Sequence, residues 1–71
     1  MTARHATSAL ILTYLRVANE PRPVQRVIRY MKTMHRVEEG ATRTQLWRLC
    51  QAGLAERVDL GWYQIGTHND S

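Results

Sequence analysis

The chain has no phenylalanine, one cysteine, two prolines and four glycines among its 71 residues. Without Phe, the bulky aromatics reduce to Trp47, Trp62 and three tyrosines, so a core must come mostly from Leu, Ile, Val and Met. At this length such a core supplies about 3–5 kcal/mol, and a dimer or bound partner would add to it. A lone cysteine, Cys50, cannot form an internal disulfide, which fits a reducing compartment. Long apolar runs are missing too. Residues 9–12 are too short for the apolar part of a secretory signal, and nothing approaches the roughly 18 apolar residues of a membrane span. A soluble, cytoplasmic protein without membrane association is expected. A chain this short buries only about 60% of its unfolded surface. That excludes a large active-site cleft, a second domain and a cofactor-binding crossover fold.

Acidic residues are few beside basic ones. Six Asp and Glu stand against ten Lys and Arg, giving a formal charge of +4 and an isoelectric point near 10.0. Nine of the ten cations are Arg, with Lys32 the exception. The guanidinium is a planar fork that binds phosphate through two hydrogen bonds, where Lys is a point charge. Two causes of the excess stay open at this point: a polyanionic partner, or the codon bias of a GC-rich genome.

The apolar and charged fractions, 44% and 23%, lie near globular averages and argue against wholesale disorder. Thr7 or Ser8 can cap a first helix, after which Leu10, Ile11, Tyr14, Leu15 and Ala18 recur at helical spacing. Leu12 and Val17 lie off that stripe, either as scattered surface apolars or as a homodimer contact. Pro21 disfavours helical geometry in the residue before it, so the helix should stop at residues 19–21. Pro23 suits the first turn of a second helix. The apolar positions of that helix are Val24, Val27, Ile28, Met31 and Met34. Its other side carries Arg22, Arg26, Arg29, Lys32 and Arg36, as a solvated face or a phosphate-facing one. After Glu38 and Glu39, Gly40 is free to adopt a left-handed cap.

Thr42 is expected to cap a third helix, with Gln45 at capping-box spacing. Leu46, Leu49 and Cys50 would face inward, and Gly53 would end the helix. Beyond Gly53 the periodicity changes from about 3.6 to 2. Residues 55–59 and 62–65 then read as two strands around a turn at Leu60 and Gly61. Tyr63 and Ile65 alternate with Trp62 and Gln64 as inner and outer faces. Residues 1–7 and 67–71 are expected to be flexible ends around one domain at 8–66. The expected class is α+β, three helices followed by a two-stranded β-hairpin.

The run LWRLCQAGLAERV at 46–58, followed by GWYQIG at 61–66, resembles the winged helix-turn-helix superfamily of small prokaryotic and phage regulators. There the recognition helix ends in an AGLVER-like run that enters the first wing strand, here AGLAER at 52–57. The second wing strand often reads G-x-Y-x-L or I, matched by Gly61, Tyr63 and Ile65. The resemblance covers residues 8–66 and implies a winged helix with a recognition helix at about 42–52 and a wing at 55–65. That helix reads about a turn shorter than in many members.

The function so implied is sequence-specific binding of double-stranded DNA by a small transcriptional regulator, acting as a homodimer. A helix fits the major groove of B-DNA. The resemblance therefore directs Arg43, Thr44, Arg48 and Gln51 toward base edges, with a backbone phosphate as the alternative target for Gln51, which is nearer the helix end. It directs Arg26, Arg29 and Arg57 toward backbone phosphates, where each contact adds affinity by counterion release. The same fold serves elsewhere as a protein-protein interaction module without DNA binding, and that alternative stays open. Trp47 and Trp62, both on expected outer faces, admit three readings: covers for the core edges, a protein partner surface, or DNA contacts.

Catalysis, metal and cofactors are not expected. His5, His35 and His68 are far apart, and Cys50 lies on a core-facing position with no evident base. Glu38 and Glu39 are adjacent and diverge on a helix, and no Cys/His spacing resembles a zinc site.

Overall fold

Ile11 and Leu15 stand one helical turn apart and are both fully buried, as the 3.6-residue period of their segment requires. The computed structural model describes residues 3–66, with side chains from residue 7 onward. The elements are α1 (Ala3–Ala18), β1 (Arg22–Pro23), α2 (Val24–His35), α3 (Glu39–Gln51), β2 (Ala55–Asp59) and β3 (Trp62–Ile65). The α+β layout is that of a winged helix, with an antiparallel sheet in the order β1-β3-β2. Ile11 and Leu15 of α1, Val27 and Met31 of α2, Leu46 and Leu49 of α3 and Ala55 of β2 form one core. Tyr14 stacks on Tyr30 at 4.5 Å between ring centroids and closes the α1–α2 seam. His35 meets the same Tyr30 edge-on, and its Nε2 lies 3.3 Å from the tyrosine hydroxyl oxygen.

The hairpin forms where the alternating pattern begins. Gly61 takes φ +74°, a left-handed conformation that a side chain would strain, and so turns β2 into β3. Arg57 pairs with Tyr63 and Asp59 with Trp62, so a β-bulge at Val58 absorbs one extra residue. The third strand was not expected. Arg22 and Pro23 pair with Tyr63 and Trp62, and the Val24 amide donates to the Gly61 carbonyl at 2.7 Å. Two residues are too few to show a period of 2, which is why the pattern hides them.

Several local expectations are corrected. α1 is already helical at Ala3, so Thr7 and Ser8 lie inside it rather than at its cap. Pro23 is extended and occupies the N-cap of α2 rather than its first turn. Met34 is 63% exposed, because it lies in the last turn, beyond Met31, the last buried residue of that helix. The left-handed cap is Arg36 at φ +57°, not Gly40, which belongs to α3. Its amide donates to Lys32, and the Val37 amide reaches Met31 at 3.1 Å, which packs Val37 on the core.

That tight turn starts α3 three residues earlier than expected. Glu38 is the N-cap, without a side-chain capping bond, and Thr42 is fully buried within the helix. α3 is therefore Glu39–Gln51, and it extends about one turn beyond its expected N-terminus. Leu12 is half-buried against the core, whereas Val17 is 80% exposed. Five residues apart at about 100° each, the two point about 140° apart and share no surface. The tail expected at 67–71 lies outside the described residues.

Candidate nucleic-acid interface

Thr42, Leu46 and Leu49, at i, i+4 and i+7 of α3, form the stripe that anchors the helix to the core. The opposite arc must then face water. Arg43, Thr44, Trp47, Arg48 and Gln51 occupy it, all exposed. The expected base-contact residues thus share one helical surface.

Their charges are not equally available. Arg43 Nε lies 3.0 Å from Glu39 Oε2 one turn back, an exposed pair worth at most about 1 kcal/mol. Glu39 in the first turn also complements the positive end of the helix. Among the described residues, Arg26, Arg29, Arg48 and Arg57 are in no ion pair; the other pair joins Arg22 to Glu20.

Two grooves separate the remaining candidates. One, of about 250 Å³, lies between α3 and the wing and is lined by Trp47, Cys50, Gln51, Arg57 and Tyr63. Trp47, Cys50 and Gln51 stand at i, i+3 and i+4, one face of the helix. Arg57 and Tyr63 are a cross-strand pair, so they share one face of the sheet. Among the described residues no carboxylate lines this groove. Burial pushes the Cys50 thiol above its ordinary value, and the neighbouring Arg57 charge pulls it back, so that cation is felt inside the groove.

The other groove, about 650 Å³, holds Trp62 and Arg26 together with Arg22, Pro21, Pro23, Val58, Glu20 and Asp59. Its two carboxylates offset its two guanidinium groups. Arg26 therefore stands beside Trp62, away from the outward arc of α3, and Arg29 lines neither groove. Trp47 and Trp62, 62% and 43% exposed, do not share one patch.

Cys50 and Tyr63, expected to face inward, do pack on the core, and both also reach this surface. The i+3 spacing from Trp47 could have found Cys50. Tyr63 depends on the bulge, which no local pattern announces. Among the described residues no group of three His, Cys, Asp or Glu side chains could hold a metal, and no helix is long and apolar enough to cross a membrane. Compared with known families, curated proteins and solved structures, the chain matches no family model, no curated protein and no solved structure.

Proposed function

We propose that this chain is a winged helix-turn-helix protein that binds double-stranded DNA in a sequence-specific manner, as a small transcriptional regulator in the cytoplasm. One observation carries the reading: the outward arc of α3 bears Arg43, Thr44, Arg48 and Gln51, with the Arg57 cation of the wing beside its C-terminal half. An α-helix so equipped suits the major groove. Arg48 bonds guanine O6 and N7, Thr44 reaches a base edge or a thymine methyl, and Arg57 neutralises backbone phosphate. Arg26 and Arg29 contribute to the general positive field rather than to this surface. A homodimer through α1 loses its premise, since Leu12 packs on the core.

The test begins with selection of duplexes from a random-sequence library, followed by salt titration of selected and scrambled duplexes. Arg48→Ala should lower affinity for the selected duplex by about 1–3 kcal/mol and relax preference at one base position. Arg57→Ala should weaken both duplexes alike and reduce the salt slope by about one. The exposed Trp47 favours a second reading, a protein-binding module without DNA binding. Absence of binding to either duplex at low salt would overturn the first reading in favour of the second.

A further inference from the structure

The groove between α3 and the wing shares Gln51 and Arg57 with the duplex-facing surface, and it adds Trp47, which duplex reading does not use. An indole on an outward helix face is an unusual exposure of apolar surface, and Trp47 is 62% exposed. Among the described residues, the walls of its groove hold one guanidinium, one amide and one phenol, and no carboxylate. At about 250 Å³ the space is smaller than the roughly 300–1,000 Å³ of pockets for drug-sized ligands. A single planar ring system with a negative charge attached matches these walls.

We infer that this groove takes one unpaired nucleobase of a nucleic-acid strand, stacked on the Trp47 indole, with the strand's phosphate at Arg57 and the base edge at Gln51. The inference rests on the nucleic-acid reading above and deepens it. Inside a duplex, away from its ends, both faces of every base are covered by neighbours, so an indole there can touch only edges or backbone. A base at a fork, an overhang or an extruded position offers its face. Stacking on an aromatic side chain then adds affinity largely independent of base identity. Gln51 presents both a donor and an acceptor to the exposed edge. Arg57 lies opposite Tyr63 across the hairpin and so stays on the groove side of the sheet. The Trp62 groove, by contrast, carries Glu20 and Asp59, which offset Arg22 and Arg26 and leave it no net positive charge for a phosphate.

The experiment compares three probes on the full chain: a blunt duplex, the same duplex with one unpaired terminal thymidine, and that overhang with the base removed but its phosphate kept. The base-bearing overhang should bind at least about fivefold more tightly than the abasic one. Trp47→Leu should abolish this difference while leaving blunt-duplex affinity within about twofold. In Trp62→Phe, where Trp47 is the remaining tryptophan, fluorescence should be quenched by the base-bearing overhang and not by the abasic one. Arg57→Gln should weaken all three probes. Equal affinity for the two overhangs, with blunt duplex still bound, overturns the stacking site and leaves the duplex reading standing. Failure of every probe at low salt overturns both. Displacement of the overhang by thymidine monophosphate at matching concentration overturns the assignment to a strand, since a free nucleotide would then suffice.

Discussion

The hydroxyl of Ser8 donates a 2.6 Å hydrogen bond to Oε1 of Gln45, tying α1 to α3 across 37 positions of sequence. Both side chains are partly buried, so water replaces the bond only in part when it is removed. Ser8→Ala is expected to lower the stability of the domain by about 1 kcal/mol. A double-mutant cycle with Gln45→Ala should give a coupling of about 0.5–1.5 kcal/mol, read from urea denaturation midpoints. Strict additivity would show that the two helices are held by packing alone.

Thr42 is the buried polar side chain of α3, and its hydroxyl has no hydrogen-bond partner among the described residues. An unmet hydroxyl in an apolar surround carries a desolvation penalty of about 1–3 kcal/mol. Thr42→Val keeps the shape and removes the penalty, so its melting temperature should rise. Leu49→Ala, on the same stripe, should instead destabilise by about 2–4 kcal/mol, because it opens a cavity in the core. A lower melting temperature for Thr42→Val would falsify the assignment of that hydroxyl as unpaired.

Arg36 holds the left-handed turn between α2 and α3 at φ +57° with a side chain in place. That conformation is unfavourable by roughly 1–2 kcal/mol for a residue bearing a Cβ. Arg36→Gly is therefore expected to stabilise the domain by up to about 1 kcal/mol, the relief being partly offset by the greater freedom of glycine in the unfolded chain. Chemical denaturation measures it directly, and a destabilised variant would mean that the arginine contributes contacts outweighing its backbone strain.

Cys50 reports on Arg57. Burial holds the thiol above its ordinary 9.0, and the Arg57 cation opposes the shift by favouring the thiolate. Alkylation by iodoacetamide proceeds through the thiolate, so its rate should rise with pH through a midpoint above 9.0. Arg57→Gln removes the favouring charge, moves the midpoint further up and slows alkylation at any fixed pH below it. An unchanged midpoint would place the guanidinium too far away to act on the groove.

The local periods of the chain determined a great deal. The buried stripe of Ile11 and Leu15, that of Val27 and Met31, and that of Leu46 and Leu49 all follow from spacings of three and four residues. The same spacings put Arg43, Thr44, Trp47, Arg48 and Gln51 on the outside of α3, since a helix anchored on one side must display the other. The turn at Gly61 needed only a residue that tolerates positive φ. What the tertiary structure decided is register and neighbourhood. An unbulged hairpin turning at Leu60 and Gly61 would set Arg57 opposite Gln64, on the outer face. The bulge at Val58 sets it opposite Tyr63, beside Trp47. Ser8 and Thr42 resemble helix caps when judged by their neighbours in sequence, yet one bonds another helix and the other is buried. The two tryptophans look alike in the chain and line different grooves in the fold. In each case the outcome depends on atoms distant in sequence, whose positions are set by how the stripes pack rather than by any single stripe.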